Sequence, residues 1–148
     1  MESLFDPKGT QDIIERINKL QPTALSQWGK MTVGQMLEHC QGPLKVAFGE
    51  IQIKRGLMGL LFGKMAKKTL VSRRPFDHNL PTTKEFIVKH EPEFEKAKAE
   101  LINSIARFSK GPSTIKNLKH PFFGHMTEKE WDTAQWKHLD HHLRQFGV

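Results

Sequence analysis

The residues best suited to chemistry in this chain are its histidines: His39, His78, His90, His120, His125, His138, His141 and His142. Imidazole changes charge near neutral pH and is a common metal ligand. His138 and His142 stand four residues apart, so on one helix their rings come together and can share a divalent cation. At 100° per residue they fall about 20° either side of Trp131, the direction a packed helix turns inward. Two polar rings on an inner face are costly unless their nitrogens find partners. A cation would supply those partners; a hydrogen-bonded core pair or a partly exposed patch is the other arrangement open to this spacing. His141 falls at the edge of the face, about 80° from Trp131. It is a candidate for supporting a ligand ring, for the surface, or for replacing a neighbour as ligand.

A third imidazole, His39, lies on another predicted helix, about 100° from the centre of its apolar stripe, with Met36, Pro43 and Val46 extending the apolar surface toward it. Cys40 follows it but falls within the stripe, where a thiol packs as a small hydrophobe. Gln35 and Gln145 are candidates for hydrogen bonding to the far nitrogens of ligand histidines, a contact that orients metal-binding rings. Glu38 and Asp140 point away from the apolar faces and are expected to be solvated. His78, His90, His120 and His125 are expected on loops or the surface. The apolar loop from His120 to His125 is expected to pack over one end of the fold.

Four segments have the periodicity needed to position these groups. Ile13, Ile14, Ile17 and Leu20 recur at helical steps after Thr10, a candidate cap, and Pro22 ends the run. Thr32 caps a second stripe of Val33, Met36, Leu37, Cys40 and Leu44, in which Pro43 predicts a kink or an early end. A third helix is expected over 91–109, with Pro92 in its first turn and Gly111-Pro112 beyond it. Its stripe is Phe94, Ala97, Leu101, Ile105 and Phe108. The fourth starts at the capping-box pattern Thr127 to Glu130, runs to Gln145 and stops at Gly147. No segment alternates as a sustained strand; Phe86-Ile87-Val88 is short and has no obvious partner. The pattern predicts an all-α helix bundle in a single domain spanning 1–148. The long link between the second and third helices should hold an extra short helix near Leu57 to Leu70.

At 148 residues, 37% hydrophobic and 26% charged, the chain is long enough for one well-buried core. Its one cysteine excludes a disulfide scaffold, and a reducing cytoplasm is the expected location. No apolar run nears the roughly 18 residues of a spanning helix, and the opening MESLFDPKGT lacks signal-peptide features. The net charge of +7 equals the seven basic residues of the acid-free stretch from Ile51 to Phe76: Lys54, Arg55, Lys64, Lys67, Lys68, Arg73 and Arg74. Excess charge confined to one stretch makes the overall charge a weak argument for nucleic acid, since a binder is usually basic over a face of its fold, and neither nucleic acid nor membrane is the expected partner. Contact with nucleic acid or anionic lipid through this stretch, without catalysis, is the rival function. The stretch could also form a cover bent at Gly56, Gly59 and Gly63.

The segments WGKMTVGQMLEHC (28–40), HPFFGHMTEKEW (120–131) and HLDHHLRQFG (138–147) together resemble the DinB/YfiT-like superfamily, in a branch of uncharacterised bacterial proteins. The resemblance implies a four-helix bundle holding one divalent metal on three histidines; imidazole suits zinc and nickel alike, so either is the expected ion. Carried over position by position, these are His39, His138 and His142, with His141 outside the ligand set. It further implies an enzyme acting on a small molecule, either a transferase using a low-molecular-weight thiol or a hydrolase, and association as a homodimer.

Overall fold

The computed structural model describes residues 3–54 and 56–148, with 57–60 described through their backbone alone; Arg55 of the basic stretch lies outside them. Six α-helices form among the described residues: α1 (Pro7–Lys19), α2 (Val33–His39), α3 (Gln41–Ala47), α4 (Leu57–Leu70), α5 (Phe94–Phe108) and α6 (Glu128–Gln145). A two-residue antiparallel hairpin, β1 (Lys119–His120) and β2 (Gly124–His125), precedes α6. The protein is therefore mostly helical, as the periodicity predicts; the hairpin is too short to leave an alternating signature.

Helix α5 packs against α1, α2 and α3, and α6 packs against α1 and α3. Between them lies a core that includes Ile13, Ile17, Met36, Leu101, Ile105 and Trp131, each almost wholly excluded from water. Each such aliphatic side chain contributes roughly 1.5–3 kcal/mol when fully buried.

Local chemistry moves several expected boundaries. Helix α1 begins before Thr10: Asp6 is its cap, accepting from the Lys8 amide, with Pro7 in the first turn. Thr10 is instead buried, and its hydroxyl donates to the Leu4 carbonyl at 2.6 Å. Helix α5 starts after Pro92 because Glu93 caps it, accepting from the amides of Glu95 and Lys96. The second helix does break, and Pro43 explains where. A proline has no N–H to offer the carbonyl four residues back, here His39, and its ring crowds that carbonyl. The chain turns at Cys40, and α3 restarts with Pro43 in its first turn, where the lost donor costs nothing. His39 thus becomes the last residue of α2.

The capping box at Thr127 and Glu130 is formed in both directions. At the other end Gly147 takes φ 78°. The amides of Gly147 and Val148 donate back to Arg144 and Leu143, closing α6 with a Schellman motif.

The extra helix α4 lies in the expected link and is anchored to α6. Buried Lys137 donates to the carbonyls of Thr69 at 2.7 Å, Leu70 at 3.2 Å and Ser72 at 3.1 Å. An ammonium at a helix C-terminus satisfies carbonyls that have no partner in the helix. A Cβ at Gly63 would collide with the Phe122 carbonyl oxygen, so glycine lets α4 sit directly on the hairpin turn. Lys67 is engaged by Glu130 at 2.9 Å, and Arg74 pairs with Asp77 at 3.1 Å.

Candidate metal centre

Along α6, Trp131, Gln135, His138, His142 and Gln145 follow one another at steps of four, three, four and three residues, which keeps them on one face. All but His138 are buried, and His138 is half-buried. An inner face made largely of amide and imidazole groups is the opposite of what packing alone would select.

His39 meets this row from the end of α2. The possible ligand atoms of His39, His138 and His142 all lie within 4.8 Å of one another, so the three can hold one metal ion. The ring centroids are 5.1 Å apart for His39 and His138, 4.7 Å for His39 and His142, and 4.6 Å for His138 and His142. The Nε2 atoms of His39 and His138 are 3.1 Å apart. Two nitrogens bound tetrahedrally at about 2.0–2.1 Å from zinc stand ~3.3 Å apart, so this pair needs little movement to share an ion.

Hydrogen bonds behind the rings decide which nitrogen faces inward. His39 Nδ1 is 2.9 Å from the Phe86 carbonyl oxygen. A carbonyl can only accept, so Nδ1 carries the proton and Nε2 presents its lone pair. His142 Nδ1 lies 2.8 Å from Gln145 Oε1. The Gln145 amide nitrogen donates to the Trp28 carbonyl at 2.7 Å, which fixes the amide's orientation and makes His142 Nδ1 the donor. Two of the three imidazoles are thereby locked as neutral rings with the lone pair on Nε2, as a metal ligand requires. His138 differs: its Nδ1 is shut off from water and has no hydrogen-bond partner.

Burial holds all three rings below the ordinary imidazole range. His39 is lowered by burial, partly countered by its bond to Phe86. His138 is pushed well down by burial, then by His142, His39 and His141. His142 falls to about 3, through burial first and His39 second. Neutral imidazole is the ligand form, so the cluster stays competent for a cation across the neutral and mildly acidic range.

The other candidates separate clearly. Gln145 does hydrogen-bond a ring of the cluster, that of His142. Gln35 does not: its oxygen accepts from the Thr32 amide at 3.1 Å and its nitrogen donates to the His90 carbonyl at 3.1 Å. The capping box at the start of α2 holds that side chain about one turn away from His39. His141 makes no hydrogen bond to a ligand ring among the described contacts. It packs beside His142, Trp28, Phe76 and His78, with ring centroids 5.1 to 6.3 Å away. Cys40 is buried against the Met36 sulfur at 3.7 Å, and burial pushes its thiol well above the usual range, which suits packing.

Glu38 keeps a solvent-accessible side chain, as expected, and meets the exposed His90 at 3.1 Å. Two expectations of exposure need correction. Asp140 is largely covered, pairing with Arg16 and Arg144 at 2.9 Å each. His120 is buried; its Nδ1 accepts from the amides of Phe122 and Phe123 at 3.0 and 3.2 Å, turning the hairpin loop inward. Sequence reasoning missed Phe86, whose backbone carbonyl has no side-chain signal, and Trp28, which also contributes a carbonyl.

Trp28 works because Gly29 follows it. Gly29 has φ 77°, and a Cβ there would come 2.6 Å from the Gln145 amide nitrogen. Alanine is therefore strained in backbone and also displaces the amide that orients His142. Gly29→Ala is expected to weaken metal affinity roughly 10-fold or more; isothermal titration with zinc against wild type measures it.

A family model described as “Protein of unknown function (DUF1569)” matches residues 4–147. The chain belongs to this family. The DUF1569 match spans all three histidines and every element that positions them. No curated protein and no solved structure matches the chain.

A hollow of about 120 Å³ opens beside His39, lined in part by Glu38, Lys45, Glu85, Phe86 and Ile87. A larger open groove of about 690 Å³ is lined by Asp12, Arg16, Trp136, Asp140 and Arg144. None of the three clustered imidazoles lines it; of the three, His39 alone lines the smaller hollow. No described helix is long and apolar enough to cross a membrane.

Proposed function

We propose that this DUF1569 protein is a metal-dependent enzyme on a DinB-like four-helix bundle, with α2 and α3 together serving as the second helix. Its site is a single divalent cation, zinc or nickel, on His39, His138 and His142. The observation that carries this is the convergence of three neutral imidazoles with two far nitrogens already anchored. Core histidines need no such common focus. Imidazole suits either metal.

Three protein ligands differ from the four that close a structural zinc site, and they leave a position for a small molecule. A cation held there supplies Lewis-acid chemistry, polarising a bound group or lowering the pKa of a water or thiol. The chain's own contribution is to hold the Nε2 lone pairs of His39 and His142 toward the cluster, through Phe86 for the first and Gln145 with Trp28 for the second. The hollow beside His39 suits a small substrate, and we assign a low-molecular-weight thiol as the preferred one, with hydrolysis as the other outcome.

Cobalt(II) reports on both. One cobalt per chain should bind, and cysteine or glutathione should then add an intense near-ultraviolet thiolate-to-cobalt band. A bound-cobalt spectrum that ignores both thiols, with no cobalt-dependent cleavage of activated esters or amides, would overturn the enzymatic reading.

A further inference from the structure

His138 has no anchor among its described contacts, unlike the other two rings, and the row along α6 holds a matching group. Gln135 stands three residues before His138, as Gln145 stands three after His142. The two glutamines are also used alike on their nitrogen side. Gln145 donates its amide nitrogen to the Trp28 carbonyl, and Gln135 donates its own to the Pro43 carbonyl at 3.0 Å. In each case a carbonyl, which can only accept, fixes which end of the amide is oxygen. Gln145 Oε1 then receives the His142 Nδ1 proton. Gln135 Oε1 is buried without a partner, and so is His138 Nδ1. A buried polar atom left unpaired costs about 1–3 kcal/mol, and two on one helix face three residues apart invite a common explanation.

The tautomers provide it. Because His39 Nδ1 donates to Phe86, His39 Nε2 is an acceptor. The 3.1 Å approach of His138 Nε2 to it then requires the proton of His138 to sit on Nε2. His138 Nδ1 is consequently an acceptor, as Gln135 Oε1 is, so in the metal-free tautomer neither could satisfy the other. We propose that Gln135 is a positioning residue for the metal centre: when His138 Nε2 is given to a cation, its proton resides on Nδ1 and is received by Gln135 Oε1, directly or through one water. The ring balances throughout, losing a proton at Nε2 and carrying one at Nδ1. Gln135 would thus complete for His138 what Phe86 does for His39 and Gln145 does for His142. This rests on the metal-centre proposal above.

The test combines zinc affinity by chelator competition with long-range ¹H–¹⁵N spectra of the histidine rings, on wild type, Gln135→Met and Gln135→Glu. Methionine removes both amide functions; glutamate keeps an acceptor oxygen and gives up the donor to Pro43. Wild type should show His138 protonated on Nε2 without zinc and on Nδ1 with it. Gln135→Met should lose 10- to 100-fold in zinc affinity and its Nδ1 proton signal should move. Gln135→Glu should keep wild-type affinity or exceed it. Equal losses in both variants would assign the effect to the Pro43 bond and overturn the inference, as would an unchanged affinity and His138 proton signal in Gln135→Met. Wild type that binds no zinc would instead defeat the underlying metal-centre proposal, so the two failures are distinct.

Discussion

His138→Leu should abolish tight metal binding while leaving the metal-free fold about as stable as before. Removing one of three ligands is expected to cost more than 100-fold in affinity, roughly, since loss of a group that merely supports a ligand already costs 10- to 100-fold. Stability behaves differently because His138 is poorly satisfied without metal: its Nδ1 has no partner. Leucine removes that orphan and leaves another, since His39 Nε2 loses its contact with His138. Each orphan is worth about 1–3 kcal/mol, so the two effects offset, and net stability should stay within about 1 kcal/mol. Wild type should gain about 2.7 kcal/mol at a metal concentration 100 times its Kd, and the variant nothing. Urea unfolding with and without zinc measures both. A variant that unfolds outright, or that keeps the zinc-induced stabilisation, would contradict this role for His138.

Acid should destabilise the metal-free protein steeply once the pH falls below about 6.5. His142 is held down to about 3 and His120 to about 4, in both cases by burial, against an ordinary imidazole value near 6.5. Both are depressed in the folded state, so the unfolded chain binds more protons once the pH drops below about 6.5. Folding stability is thus fully retained above that pH and is lost as pH falls toward the folded values. Each group contributes a slope of about 1.4 kcal/mol per pH unit. By pH 4.5 the two together remove about 5 kcal/mol, comparable to the whole stability of a marginal domain. For His120 the loss has a visible cause, because Nδ1 accepts two backbone amides and a proton there breaks both bonds. Chemical denaturation at pH 7, 6, 5 and 4.5 should show a steep decline, and zinc should shift the His142 share of it to lower pH by competing with protons for that ring, leaving the His120 share in place. Stability that is flat from pH 7 to 5 would show that these rings are not held neutral by the fold.

The parts of this architecture that local chemistry decides were legible in the residues. The start and stop of α6 follow from Thr127, Glu130 and Gly147, and the inward pair His138 and His142 follows from its spacing on that helix. Pro43 announced the break that ends α2 at His39. His39 itself looked displaced from its apolar stripe, because a helical wheel treats burial as a matter of one face. Its flank is covered by the segment around Phe86, 47 residues away in sequence. The same reason hid the anchoring of His142: Gln145 could be named, but its hold on Trp28 spans 117 residues and depends on a backbone carbonyl. Gln35 failed in the opposite direction, since the capping box at Thr32 gives its side chain a local partner before any distant one. His120 was misplaced because a loop position carries no periodicity from which burial could be read.

The most direct measurement is the metal content of protein expressed without a histidine tag, purified without chelators and analysed by elemental mass spectrometry beside the His39→Ala and His142→Ala variants. One zinc or nickel per chain in the wild type, with the metal lost from both variants, is the predicted result. Wild-type protein that carries no divalent metal and takes up none when zinc, nickel and cobalt are titrated in would contradict it.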